Sequence, residues 1–193
     1  SEKIIQAADS VEPDSISLVW ARVPQATGYY VYRRGSDGNF KYIARVTTNR
    51  YTDKKLTDSC TYTYLVKAFA DTAGGTVTGN GSHAVTAVTR PSQVENLKIK
   101  ADKGKLTLVW KTNKHADSYL IYRAAKENGS YEKIVTTTDT TYTDTSAKSG
   151  KTYTYKIRVV TGNGTKSTIN TKTVTYLKAP KISKVKNTSK YTI

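Results

Sequence analysis

Side chains able to carry out chemistry are few in this 193-residue chain, and their spacing predicts no active site. His83 and His115 lie in unrelated places, and neither has a cysteine or a second histidine nearby at the spacing of a metal site. Cys60 is the single cysteine and cannot form an internal disulfide. Asp53 and Asp144 recur, but one carboxylate at a strand end predicts a turn cap. The sequence therefore predicts no catalytic, metal-binding or cofactor-binding residue, no cofactor, and a segment that is not an enzyme.

Aromatic rings are the other candidates for a site, because several exposed rings in a row can stack on a sugar chain. The chain has 15 tyrosines, 2 tryptophans and 2 phenylalanines. The rings expected on the outward pleat or at a sheet edge are those of Tyr30, Tyr32, Phe40, Tyr42, Tyr122 and Tyr131. They could form a glycan platform, or they could cover the sheet beside Arg33 and Arg123 as cation–π pairs. The residues expected to make surface contacts are Tyr32, Tyr122, Arg33 and Arg123.

The formal net charge of +16 is concentrated in the second half of the chain. Residues 1–90 hold 11 basic and 8 acidic side chains, whereas residues 91–179 hold 16 and 7. Most of the cations are lysines placed singly, while nucleic-acid readers concentrate arginine and lysine on one face. The pattern favours a solvated surface and no nucleic-acid partner, and it leaves open an anionic polymer or glycan bound by the lysine-rich second half.

An internal repeat of about 90 residues organises the chain. Trp20 and Trp110 lie 90 residues apart within similar surroundings, and Tyr32-Arg33 matches Tyr122-Arg123 at the same offset. Beyond one inserted residue the offset is 91, so that the Tyr-Thr-Asp at residues 51–53 matches the one at 142–144. The repeats close before Pro91 and Pro180. Two homologous modules, 1–90 and 91–179, are therefore predicted.

Both modules have an apolar period of two, which predicts β-strands throughout. Ile16, Leu18 and Trp20 share one face of a strand, and Leu106, Leu108 and Trp110 repeat that arrangement. Turn signals interrupt the chain every 8 to 12 residues, and no long apolar run could form a membrane span. The pattern predicts an all-β fold of two tandem immunoglobulin-like antiparallel β-sandwiches with about seven strands each.

Each module resembles a fibronectin type III domain of the kind found in secreted and surface proteins of Gram-positive bacteria. The resemblance rests on the tryptophan of the second strand, the tyrosine-rich third strand that ends in Arg33 or Arg123, the Tyr-Thr-Asp, and the Thr-Tyr-Thr-Tyr of the sixth strand. It implies that Tyr62 and Tyr153 form tyrosine corners, whose hydroxyls bond to nearby backbone. The expected core aromatic residues are Trp20, Trp110, Tyr29, Tyr119, Tyr62, Tyr153, Tyr64 and Tyr155.

The resemblance also implies a function that is geometric. We expect non-catalytic spacer modules in a larger extracellular protein, secreted or attached to the cell surface, which position catalytic, binding or anchoring domains. The expected partners are the neighbouring domains of the same polypeptide and a cell-wall or substrate polysaccharide, with no membrane insertion and a monomeric state. Residues 180–193 align with residues 91–108, from which we expect the truncated start of a third module.

Overall fold

The computed structural model describes residues 5–102, 105–125 and 129–177, which contain fifteen strands and no helix. None of the described residues belongs to a helix long and apolar enough to cross a membrane. The strands of the first module are β1 (Ile5–Val11), β2 (Ser15–Trp20), β3 (Gly28–Arg34), β4 (Phe40–Val46), β5 (Arg50–Lys54), β6 (Thr61–Thr72), β7 (Gly75–Gly81) and β8 (Val85–Val88). Those of the second module are β9 (Glu95–Asp102), β10 (Lys105–Lys111), β11 (Ser118–Ala124), β12 (Glu132–Thr137), β13 (Thr141–Asp144), β14 (Lys151–Val160) and β15 (Asn170–Tyr176).

Each module consists of two antiparallel sheets with the same strand order. In the first module, the sheet β1-β2-β5 faces the sheet β4-β3-β6-β7, and β8 pairs with the beginning of β6 as a continuation of β7 along its edge. In the second module, β9-β10-β13 faces β12-β11-β14-β15. The expected fold class, two tandem sandwiches, is confirmed.

The core of each module lies between its sheets and is filled by alternate residues of the strands. Ile16, Leu18 and Trp20 of β2 are at most 2% exposed, while the residues between them are half-buried. Leu106 and Leu108 are fully buried in the same way on β10. This alternation is the pleat of a strand with one face on the core, so the period of two in the sequence places the buried face correctly.

Gly28 marks a difference between the two modules. A Cβ atom at Gly28 would collide with the Phe69 ring and would lie 2.6 Å from the carbonyl oxygen of Val46. The register partner of Gly28 is Phe69, whereas the equivalent pair in the second module is Ser118 and Val160. The glycine is therefore needed because both the phenylalanine ring, which the second module replaces with a valine, and the Val46 carbonyl leave no room for a Cβ atom.

The two modules are joined by residues 89–94, between β8 and β9, which include Pro91. Residues from 178 onward lie outside the described part of the chain, and the expected start of a third module at 180–193 falls there.

Candidate functional site

The histidines and the cysteine are distributed over separate connecting segments. His83 lies between β7 and β8, and His115 lies between β10 and β11. Cys60 is a half-buried free thiol just before β6, and its backbone N–H donates to the Thr89 hydroxyl. Within the described ranges, no group of three or more His, Cys, Asp or Glu side chains is placed to hold a metal ion.

Each module instead contains a cluster of a half-buried arginine, a buried aspartate and a buried tyrosine that connects its two sheets. In the first module, Arg33 Nη1 and the Tyr64 hydroxyl both donate to Asp53 Oδ2, at 2.7 and 2.8 Å. Asp53 belongs to β5 in one sheet, whereas Arg33 and Tyr64 belong to β3 and β6 in the other. A carboxylate with these charge-assisted bonds joins the sheets with more directional strength than apolar contacts provide.

The second module repeats this cluster with additional bonds. Arg123 Nη1 and the Tyr155 hydroxyl each lie 2.6 Å from Asp144 Oδ2. Asp144 Oδ1 also accepts the backbone N–H and the hydroxyl of Ser146. We call Arg33-Asp53-Tyr64 and Arg123-Asp144-Tyr155 the polar clusters of the two modules.

Two expectations from the sequence change at the polar clusters. Asp53 is not a turn cap, because it is 5% exposed and bonds to side chains of the opposite sheet. Asp144 combines both roles, since it caps the turn at Ser146 and lies in the core. Arg33 and Arg123 do stack near Tyr62 and Tyr153, at 5.8 and 5.2 Å from the ring centroids. Their Nη1 atoms bind the buried aspartates, while the side chains stay 34% and 22% exposed, so the expected surface contact remains a prediction.

The ionisation of the polar cluster in the second module reflects its hydrogen bonds. Burial alone would raise the pKa of the Asp144 carboxyl, but the bonds from Tyr155, Arg123 and Ser146 outweigh it and hold the pKa below its ordinary value. Burial, and then the bond to the carboxylate, raise the pKa of the Tyr155 hydroxyl, and the same causes raise the pKa of Tyr64. The cluster is therefore stable as a neutral tyrosine beside an ionised aspartate.

We expect the stability of the second module to fall at both extremes of pH. A carboxyl whose pKa is depressed by folding contributes stability above its unfolded pKa of about 4, and this contribution is lost as the pH falls further. A tyrosine whose pKa is raised contributes stability below about pH 10, and this contribution is lost at higher pH. Thermal melts followed by circular dichroism from pH 2 to pH 12 would test both the acidic and the alkaline limb of this pH dependence.

Tyr155→Phe is the matched control for the alkaline limb, because it removes the titrating hydroxyl and keeps the ring. In this variant the Tm of the second module should decline less steeply above pH 10 than in the parent. Equal slopes in the two proteins would contradict the assignment.

The other four expected core tyrosines have hydroxyls that accept a backbone N–H; three of their rings are buried, whereas the ring of Tyr62 is half-buried against the core. Trp20 and Tyr29 pack edge to face with ring centroids 5.3 Å apart, and Trp110 and Tyr119 repeat the pair at the same distance. The hydroxyls of Tyr29, Tyr119, Tyr62 and Tyr153 accept the N–H groups of Val23, Asn113, Thr57 and Lys148, respectively, at 2.8–3.0 Å. The last two bonds are those of a tyrosine corner.

The outward rings differ between the modules. In the first, Tyr42 lies between Tyr30 and Tyr32 with ring centroids 6.0 and 6.1 Å away. In the second, Tyr122 lies opposite Lys133 and Lys156 in the strand register. Phe40 lies under Arg34 and Tyr131 lies under Lys156, so these rings form cation–π pairs with cations other than the expected Arg33 and Arg123. A row of outward rings is thus formed in the first module.

The connection between the modules is bonded to both of them. The Ser92 N–H donates to Asp58 Oδ2 in the first module, and Asn113 Nδ2 in the second donates to the Ser92 carbonyl, both at 2.9 Å. His115 Nε2 lies 3.5 Å from Asp58 Oδ1. Burial raises the pKa of Asp58, but the Ser92 bonds and the nearby His115 and Lys114 hold it below the ordinary value.

We call residues 89–94, together with Asp58, Asn113 and His115, the junction. Further hydrogen bonds fix the two ends of the connecting segment. They run from Arg90 Nε to the Val11 carbonyl (2.8 Å), from Gln93 Nε2 to Thr168 Oγ1 (2.7 Å) and from Asn170 Nδ2 to the Val94 carbonyl (2.8 Å). A linker whose backbone is bonded on both sides has little freedom to bend, in contrast to a flexible linker. Sequence reasoning missed Asp58 and Asn113, because nothing in their local sequence marks them as partners.

The strand order, the tyrosine corners and the core tryptophan of each module give both modules the fold of a fibronectin type III sandwich. No family model matches the chain. An amylopullulanase of Thermoanaerobacter thermohydrosulfuricus is 36% identical over 90 residues, which cover 46% of this chain and 6% of that enzyme. Exoglucanase B of Cellulomonas fimi is 30% identical over 153 residues, which cover 72% of this chain and 13% of that enzyme.

Among solved structures, the chain is similar to a segment of two fibronectin type III domains from chicken tenascin. The identity is 16% and the TM-score 0.47, with 90% of this chain and 98% of that segment covered. Of the two enzymes named above, by contrast, the chain spans only 6% and 13% of the length.

Proposed function

We propose that the chain is a non-catalytic spacer of two modules that holds neighbouring domains of a larger protein at a fixed separation and orientation. The observation that carries this proposal is the junction. Ser92 is bonded through its N–H to the first module and through its carbonyl to the second. A spacer with a flexible joint would limit only the maximal distance between the neighbouring domains. A hydrogen-bonded joint also fixes their relative orientation.

The dimensions of the modules suit this role. The longest strand, β6, has 12 residues, which at about 3.3 Å per residue span about 40 Å. Each polar cluster joins two sheets inside one module, so that each module behaves as a stiff unit. Two stiff units with a bonded joint transmit an orientation over a distance that neither an unstructured linker nor a single module could reach.

The cellular setting proposed here is extracellular, in a secreted or surface-attached bacterial protein. The relatives named above are an amylopullulanase and an exoglucanase, which are names of enzymes that act on glucan polymers. Such polymers are too large to enter a cell, so enzymes that attack them work outside it. The partners of this chain would then be the neighbouring domains of the same polypeptide, with the spacer itself monomeric.

The distance between the modules tests the proposal directly. Spin labels on Lys41→Cys and Lys133→Cys, in a Cys60→Ser background, would report one narrow distance distribution by pulsed electron paramagnetic resonance. The double variant Asp58→Ala and Asn113→Ala removes both bonds to Ser92, and we expect it to broaden the distribution while both modules stay folded.

Glu12→Ala and Asp139→Ala form a matched control, because each removes an exposed polar side chain from one module and neither belongs to the junction. This control should give the parent distribution. A broad distribution in the parent, or no change when the Ser92 bonds are removed, would count against a fixed spacer.

A further inference from the structure

The outer surface of the sheet β4-β3-β6 in the first module carries a cluster of four rings. Tyr30 stacks on Phe69 with centroids 4.6 Å apart, and Tyr42 stands edge to face with both Tyr30 and Tyr32. Phe69 is 1% exposed and forms the base of the cluster, whereas Tyr42 is 56% exposed. We call Tyr30, Tyr32, Tyr42 and Phe69 the aromatic face.

The second module shows that the fold does not require this face. In the strand register, Tyr32 lies opposite Tyr42, and the equivalent pair is Tyr122 and Lys133. Phe69 is replaced by Val160, its register partner Gly28 by Ser118, and Tyr30 by Leu120. One ring of four remains in a sandwich with the same strand order. The presence of the other three rings in the first module is therefore explained by something other than folding stability.

The polar groups of the aromatic face are arranged for an uncharged ligand. Arg45 is paired with Asp71 at 2.6 Å and lies 4.2 Å from the Phe69 centroid, so its charge is compensated within the face. The Lys67 ammonium lies 5.3 Å from the Tyr32 centroid. Among the described residues, the hydroxyls of Tyr30, Tyr32 and Tyr42 make no hydrogen bond, in contrast to the four core tyrosines whose hydroxyls accept a backbone N–H.

From this face we infer that the first module binds a neutral glucan chain on its tyrosines. A pyranose ring has an apolar C–H surface that can lie on an aromatic ring and a rim of hydroxyls that need hydrogen-bond partners. The tyrosines supply both kinds of contact, since each combines an apolar body with a polar tip. An anionic polymer would require several unpaired cations, whereas Arg45 is paired with Asp71 and a single further cation, Lys67, stands over the Tyr32 ring. The choice of glucan rests on the proposed extracellular setting, whereas the fixed junction is independent of it.

Native affinity electrophoresis of the whole 193-residue chain tests this inference. The gels would contain no polymer, pullulan, hydroxyethylcellulose or the anionic dextran sulfate, with serum albumin as the reference for mobility. We expect retardation by at least one of the neutral glucans. Tyr42→Ala should weaken this binding about tenfold, which corresponds to about 1.4 kcal/mol, and Tyr42→Phe should retain part of it because the ring is kept.

Tyr122→Ala is the matched control, because Tyr122 is the second module's equivalent of Tyr32. It should leave retardation by neutral glucan unchanged. Tyr42 is exposed, and an unchanged melting temperature would establish that its variants are folded. The inference is overturned by equal retardation of the parent and Tyr42→Ala, by retardation in dextran sulfate alone, which would assign the binding to the lysines of the second module, or by no retardation in any gel.

Concentration-dependent dimerisation that Tyr42→Ala abolishes, in the absence of glucan retardation, would instead identify a second copy of the chain as the partner and would also overturn the inference. The presence or absence of glucan retardation does not bear on the spin-label distances. A failed glucan assay therefore leaves the spacer proposal standing, and a broad distance distribution leaves glucan binding standing.

Discussion

Replacing Asp144 with alanine is expected to destabilise the second module by about 3–5 kcal/mol, because it leaves a half-buried guanidinium and a buried hydroxyl without their partner. Arg123 and Tyr155 both donate to Asp144 Oδ2, and the aspartate is 1% exposed. The Tyr155 side chain is fully buried, so water cannot replace its lost acceptor without opening the space between the sheets. In differential scanning calorimetry, the transition of the second module should fall by more than about 10 °C.

Two controls separate the lost charge from general damage. Asp139→Ala removes an exposed carboxylate from the same module and should change its Tm little. Asp144→Asn keeps the shape and one acceptor oxygen but not the charge, and it should fall between the parent and Asp144→Ala. If Asp144→Ala melts like the parent, the polar cluster makes no net contribution to stability.

The second large effect is expected at the core tryptophans. Trp110→Ala should cost about 3–5 kcal/mol, because it removes the largest side chain of the core and leaves a cavity against Tyr119. Trp110 is 3% exposed, and its ring packs edge to face on that tyrosine. Urea denaturation followed by circular dichroism would measure the loss through the shift of the midpoint.

The indole N–H suggests a conservative comparison for the tryptophan. Neither Trp20 Nε1 nor Trp110 Nε1 has a hydrogen-bond partner among the described residues. Trp110→Phe therefore loses volume but no hydrogen bond, and it should cost clearly less than Trp110→Ala. Equal losses for the two variants would mean that the aromatic contact with Tyr119 contributes little.

The architecture was predictable because it depends on patterns that are local and repeated. The alternation of Ile16, Leu18 and Trp20 specifies both a strand and the face that it buries, and the repeat supplies the same information again around Trp110. The tyrosine corners could be placed in the same way, since each hydroxyl bonds to a backbone group five residues away.

The polar clusters were misread because their bonds span the sandwich. Asp53 lies 20 residues from Arg33 and 11 from Tyr64, and a carboxylate at a strand end has the same local sequence whether it caps a turn or enters the core. One signal was available. All three residue types recur at equivalent positions of both modules, which a turn cap alone would not require.

The junction and the aromatic face were harder to predict from the sequence than the polar clusters. Gln93 and Thr168 are 75 residues apart and belong to no repeated pair, so their bond depends on how the connection passes the second module. The sequence pointed to Tyr30, Tyr32 and Tyr42 as outward rings but not to Phe69. Only the register across β3, β4 and β6 brings Tyr30, Tyr32, Tyr42 and Phe69 together and leaves Tyr122 without such neighbours.

The containment of each polar cluster within one module has a consequence for how such chains change over time. Because Arg33, Asp53 and Tyr64 all belong to one sandwich, and Arg123, Asp144 and Tyr155 to the other, gain or loss of a complete module by recombination leaves no buried charge unmatched. The bonds to be re-established are those of the junction. The length of an array can therefore vary in whole modules at little energetic cost, while its direction must be set anew at each joint.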